Sequence, residues 1–189
     1  MKAAQLALDK AKISLMARSD SVFFATVCFS LKHEWDKSIP TACTNGVYIK
    51  FNPDFFMSLD AEERVFLLIH ESCHVCYDHV GRGINHDQAK YNVAADHVIN
   101  LQLKERGFKM PKKGLADPQY KGLSTEQVYK LLPEQKPEEV EMDIIPSDMA
   151  PEDLKQHVED IIIRASIQSK MQGDTPGSIP EEIQIFLNG

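Results

Sequence analysis

The chain has 189 residues, 43% hydrophobic and 26% charged, with a net charge of −7. That length holds one domain with a core, or a domain with an appendage, and the composition is that of a globular protein. The negative balance disfavours nucleic acid and anionic membranes as general partners, and no apolar run is long enough to span a bilayer.

The N-terminal "MKAAQLALDKAKISLMAR" reads as a helix, with Ala4, Leu8, Ala11 and Leu15 at helical spacing. Its charged residues interrupt any signal-peptide core, so a cytoplasmic location is expected. "SVFFATVCFSLKHEW" is rich in aromatic and β-branched residues and reads as a strand. It ends in His33-Glu34, which has no second histidine at the right spacing, because position 37 is lysine. In "TACTNGVYIKFNP" the Asn45-Gly46 pair signals a turn. Val47, Tyr48, Ile49, Lys50 and Phe51 then alternate as a second strand, stopped by Pro53.

Ser58 is a candidate cap for a helix reaching about Asp78, with Asp60, Glu62 and Glu63 in its first turn. Gly81 and Gly83 mark its exit. A second long helix is predicted from near His86 to Gly107, a left-handed cap. Ser124 and Gln127 form a capping box for a short helix through Leu132. Residues 134–150 are acidic and proline-bearing, and read as an exposed, mobile linker and a candidate inhibitory segment. Pro151 opens a last long helix with an apolar stripe of Leu154, Val158, Ile161, Ile162 and Ala165, closed by Gly173. "SIPEEIQIFLNG" begins a further amphipathic turn. The predicted organisation is a core over 1–133, a linker over 134–150 and a helical appendage over 151–189 packed on the core.

The first long helix carries His70-Glu71-Ser72-Cys73-His74, an H-E-x-x-H pattern. On a helix His70 and His74 lie one above the other, so both imidazoles can reach one tetrahedral zinc. Glu71 is rotated by about 100° and flanks the metal, where its carboxylate can take a proton from a zinc-bound water. Catalytic zinc takes a third protein ligand. Candidates are His79, His86, Asp96 and His97. Asn92, Asp96 and Asn100 are spaced four apart and line one polar stripe on an otherwise apolar helix, which needs an inward polar partner. Asp96 is therefore assigned as third ligand, with Asn92 and Asn100 as groups that orient the ligands. Asp96 hydrogen-bonding a ligating histidine from behind is the open variant. His86, Tyr91, His97 and Tyr120 are candidate donors to a developing oxyanion. Cys73 and Cys76 form C-x-x-C late in a helix among apolar residues, which favours core packing over redox or structural-zinc roles, as for Cys28 and Cys43.

Together "NGVYIKFNPDFF", "ERVFLLIHESCHVCYDHVGR", "YNVAADHVIN" and "GLADPQYKGLSTEQVYKLL" resemble the metallopeptidase domain family of bacteria and phages, in which a von Willebrand A-like domain often follows. The N-x-A-x-D-x-x-x-N helix linked to H-E-x-x-H narrows the resemblance to that family. It implies a zincin-like α+β fold, mainly helical with a small mixed or antiparallel sheet beside the active helix. It also implies Zn2+ on His70, His74 and Asp96, with Glu71 as catalytic base. The strand 47–51 would then hold an extended peptide substrate by strand addition. The implied partners are a peptide or protein substrate and a companion ATPase or von Willebrand A-like protein. The sequence given ends at "IPEEIQIFLNG", so either a stand-alone form or a portion of a longer chain is expected.

Overall fold

The computed structural model describes residues 1–173 and 179–188. In chain order the elements are α1 (Lys2–Met16), α2 (Val22–Phe29), β1 (Lys32–Trp35), β2 (Ala42–Thr44), β3 (Tyr48–Phe51), α3 (Pro53–Ser58), α4 (Ala61–Cys76), α5 (His79–Arg82), α6 (Gln88–Glu105), α7 (Thr125–Leu131), α8 (Pro151–Met171) and α9 (Glu181–Asn188). The architecture is α+β, mostly helical with a three-stranded mixed sheet. Among the described residues no helix is long and apolar enough to cross a membrane.

Helix α1 forms where its spacing predicts, burying Ala4, Leu8, Ala11 and Leu15. The next segment departs from the expectation. Only Lys32–Trp35 is extended, while residues 22–29 form α2. A nearly continuous apolar run shows no period, so helix and strand are not separable from pattern alone. Here Phe23, Phe24, Ala25, Val27 and Cys28 are all buried. Helices α4 and α8 pack on α2, and that burial overrides the strand propensity of its residues.

The strand order is β1-β3-β2, with β1 parallel and β2 antiparallel to β3. The β2–β3 turn is the one Asn45-Gly46 announces. Asn45 Oδ1 accepts hydrogen bonds from the Val47 and Tyr48 amides at 3.0 and 3.2 Å, and Gly46 takes a φ of +91°, which a side chain would strain. This topology corrects the assignment of Val47, Tyr48, Ile49, Lys50 and Phe51 as a substrate-holding strand. Residues 48–51 form the central strand and pair on both sides, so neither backbone edge is open to a peptide. Alternation reports which faces are buried and says nothing of edge or centre.

The helix bearing H-E-x-x-H starts two residues later than predicted. Ser58 closes α3, a short helix capped by Asn52, and Asp60 caps α4 in a reciprocal capping box with Glu63. From Val65 to Cys76 every residue of α4 is buried. The chain leaves α4 through Asp78 at a φ of +49° and the single turn of α5. It then enters α6, which packs along α4 and is followed by Gly107 in the left-handed region at +84°. The Ser124–Gln127 capping box forms as read and starts α7.

Residues 134–150 correct the picture of a mobile linker throughout. Ile144 is buried and forms a parallel bridge with Thr44. The Thr44 amide donates to Asp143 O at 2.8 Å, and the Ile145 amide donates to Thr44 O at 3.0 Å. Two β-branched residues give this stretch enough to bury, and the outer edge of β2 supplies its backbone partners. Leu154, Val158, Ile161, Ile162 and Ala165 of α8 join the apolar core that α1, α2, β3 and α4 share. All four cysteines are free and buried.

Candidate metal centre

Four side chains from three parts of the chain converge where α4, α6 and the 140–145 segment meet. His70 and His74 come from one face of α4, Asp96 from α6 and Asp143 from the segment bridged to β2. One ligand atom from each lies within 4.8 Å of all the others. The two Nε2 atoms are 3.1 Å apart. Asp96 Oδ1 lies 3.4 and 3.2 Å from His70 and His74 Nε2, and Asp143 Oδ2 lies 3.1 and 3.7 Å from the same two atoms. Donors arranged tetrahedrally about 2.0–2.2 Å from a zinc ion stand about 3.3–3.6 Å apart. The observed separations bracket that spacing, so these residues fit one small metal ion.

The outer contacts of the two imidazoles fix which nitrogen faces inward. Asn100 Nδ2 donates to Leu115 O at 2.9 Å, which turns Asn100 Oδ1 toward His70 Nδ1, 2.7 Å away. Oxygen can only accept, so His70 carries its proton on Nδ1 and leaves the Nε2 lone pair free for a metal. Behind His74, Nδ1 is 3.0 Å from His79 Nδ1, and His79 Nε2 is 3.0 Å from Thr125 Oγ1. With the His74 proton on Nδ1, His79 accepts it and passes its own N–H to the buried threonine. Burial, followed by the charge of His74, holds the His79 pKa well below its ordinary value, so this ring is neutral. His79 is thus a support for a donor and not the donor that its sequence position allowed.

Asn92 acts on both acids. Its Nδ2 is 3.3 Å from Asp96 Oδ2, and its Oδ1 accepts from the Asp143 and Ile144 amides at 2.9 Å each.

The electrostatics call for a cation. Glu71 is fully buried, and neither carboxylate oxygen has a hydrogen-bond partner; Asp96 Oδ1 also lacks one. Burial, with the charge of Asp143 second, pushes Glu71 up to about 8. Burial and Asp143 likewise raise Asp96. Burial opposes the charge of Asp143 too, but there hydrogen bonds with His70 and His74 outweigh it and hold the carboxyl below the carboxylate range. Burial pulls His70 toward the neutral form, but its contacts with Asp143 and Asp96 raise it well above the usual imidazole value. Three carboxylates around two imidazoles in a site shielded from water are an arrangement that a dication satisfies.

The structure therefore brings together His70, Glu71, His74 and Asp96, with Asn92 and Asn100 behind them, as the spacing suggested. It adds Asp143, which sequence reading missed. The available signal was the apolar pair Ile144-Ile145 following an aspartate inside an otherwise polar stretch. The candidate oxyanion donors are engaged elsewhere or packed at an angle on other rings. Tyr91 Oη donates to Glu126 at 3.2 Å, His97 Nδ1 accepts from the Asp117 amide at 3.1 Å, His86 packs against Tyr91 and Tyr129, and Tyr120 against His97.

A family model described as "Putative metallopeptidase domain" matches residues 4–156, a span that includes all four candidate donors. No curated protein and no solved structure matches the chain significantly.

Proposed function

The chain belongs to this metallopeptidase domain family, and on that premise we propose that it is a zinc-dependent peptidase whose general base is Glu71. The observation that carries the reading is a buried carboxylate with no partner beside donors at metal-ligand separations. A zinc ion held by His70, His74 and Asp96 would supply a Lewis acid for the scissile carbonyl and lower the pKa of a coordinated water to about 7.

The chain's own residues account for the remaining steps. Asn100 and the His79–Thr125 pair hold the two imidazoles in the tautomer that keeps Nε2 unprotonated. Glu71, displaced from the donors by one helical position, takes the proton of the attacking water at a carboxylate oxygen and returns it to the departing amine. Its ionised form is needed at neutral pH, and a neighbouring dication favours that form against the burial that raises its pKa. The fold this reading implies is zincin-like. The partners that go with it are a peptide or protein substrate and, from the family resemblance, a companion ATPase or von Willebrand A-like protein.

Metal content and hydrolysis test the proposal separately. The chain purified with excess zinc should hold one equivalent, His74→Ala should hold none, and Glu71→Gln should keep the metal. Glu71→Gln should also lower peptide cleavage by about 10²–10⁴-fold, the range for a lost general base. Full hydrolysis by Glu71→Gln, or well under one equivalent in the saturated wild type, would refute it. A second reading, a metal-held scaffold without turnover, draws on the count of four protein donors, since structural zinc is closed by four. The unpartnered Glu71 favours the first, because a scaffold has no use for an uncompensated buried carboxylate.

A further inference from the structure

We propose that residues 141–145 are a displaceable plug that keeps this site latent by occupying both the fourth metal position and the strand edge where an extended peptide would bind. The inference rests on the peptidase reading above. It goes further in naming how the site is regulated and which edge a substrate uses.

The plug touches the site in three ways. Its Asp143 carboxylate is the fourth donor, within 3.1 Å of His70 Nε2 and 3.7 Å of His74 Nε2. A catalytic metal keeps that position for water and substrate. Its backbone lies along β2, receiving the Thr44 amide on Asp143 O and giving the Ile145 amide to Thr44 O. β2 is an outer strand of the sheet and packs on α4, whereas β3 is internal. The edge of β2 is therefore the one on which strand addition could lay a peptide across the donors. Asn92 then gathers the Asp143 and Ile144 amides on one oxygen, so a residue of the donor helix holds the plug down.

The result is a covered site. Glu71 and His74 have no exposure and His70 has 5%. No peptide carbonyl reaches Glu71 while the segment stays in place. The plug is also built to leave. Beside Asp143 its one buried side chain is Ile144, its own Glu141 is exposed, and so are the flanks at Glu134, Lys136–Glu139, Pro146 and Asp148. They hold one short helical turn at Pro137–Glu139. Release breaks the two backbone hydrogen bonds with Thr44, the two that Asn92 accepts and the contacts of Asp143 with His70 and His74, all of them made by the segment itself, and leaves the backbone pairing of α4, α6 and the sheet intact.

The test uses the full chain loaded with cobalt in place of zinc and acetohydroxamate as a small anionic probe of an open metal position, read from the visible spectrum. Two variants open the plug by different routes. Asp143→Ala removes the fourth donor. Ile145→Pro keeps every donor and deletes the amide that bonds Thr44 O. Both should retain one cobalt per chain and bind the probe at least about 10-fold more tightly than the wild type, as for a protein whose competent state is a minor fraction. Cleavage of a mixed peptide library should rise in parallel and be abolished by adding Glu71→Gln.

A wild type that binds acetohydroxamate as tightly as both variants overturns the plug. So does loss of cobalt from Asp143→Ala together with an Ile145→Pro variant as closed as the wild type, which would make Asp143 a permanent ligand. Variants that open to the probe yet cleave nothing would support the plug and refute the peptidase reading. A chain that takes up no cobalt in any form refutes both, and its metal content alone reveals that case.

Discussion

Asn100 decides which nitrogen of His70 is available, and His79 stands against Nδ1 of His74, where its ring can accept that nitrogen's proton. Neither residue belongs to the cluster of His70, His74, Asp96 and Asp143, so their removal separates orientation from ligation. Asn100→Ala and His79→Ala should each weaken metal binding about 10–100-fold, the usual effect of losing a ligand's outer partner. Asp96→Ala should weaken it more than either, and His97→Ala should have little effect, because His97 turns toward the Asp117 amide. Chelator competition on purified variants checks the order. At this scale much was legible. His70 and His74 stand four apart on α4 and Asp96 and Asn100 four apart on α6, with Glu71 placed by its step from His70, and such spacing is what a sequence displays. The contact of His79 with His74 had no such signal, because His79 lies beyond the end of α4, where Asp78 enters the left-handed region and breaks the helical phase. Asp143 had no period to belong to. A donor brought in by a loop depends on tertiary placement, and only the neighbouring isoleucines hinted that the loop docks.

Helix α5 is one turn long, yet it aims His79 at His74. It can do so because the chain turns tightly there. A Cβ on Gly83 would stand 2.8 Å from Tyr91 Cδ1 and 2.9 Å from the His79 carbonyl oxygen. Gly83→Ala should therefore push α5 away from α6, destabilise the chain by about 1–3 kcal/mol as overpacking does, and weaken metal binding by displacing His79. Urea unfolding and metal titration on the same preparation test both effects. A variant with unchanged stability and affinity would show that the turn yields without cost. Elements with caps or a clear apolar stripe are the ones that read well from sequence. Ser124 with Gln127 announced α7, and acidic residues in the first turn announced α4 to within two residues. α2 was misread because it is apolar around its whole circumference, and a continuous apolar run carries no phase. The part that β3 plays in the sheet was also hidden, since internal and edge strands alternate alike.

Across the whole molecule the last long helix is more than an attachment. Ile161 of α8 has no exposure and lies in the same core as Phe23, Leu68 and Ile69. Ile161→Ala should destabilise the chain by about 2–5 kcal/mol, the range for truncating a buried aliphatic side chain. Unfolding should stay a single transition. The far-ultraviolet helix signal and the fluorescence of Trp35, which packs on Phe51 and Phe56, should change at the same denaturant concentration. Two separated transitions would mean that the chain from residue 151 onward folds as its own unit. The apolar stripe of α8 was plain in the sequence, but a stripe does not say which surface it covers.

His70 and Asp143 meet across 73 positions of chain, and that span sets an order on the folding of the site. The histidine pair needs only the turns of one helix, and Asp96 needs a short loop between two helices. Asp143 needs a far longer loop to close, and longer closures are slower and entropically more expensive. A chain emerging from its N-terminus therefore acquires three donors first and the fourth last. Metal capture by the early trio would stabilise the helical pair before the segment that covers it has found its place, and the protein would pass through an open, loaded form each time it is made.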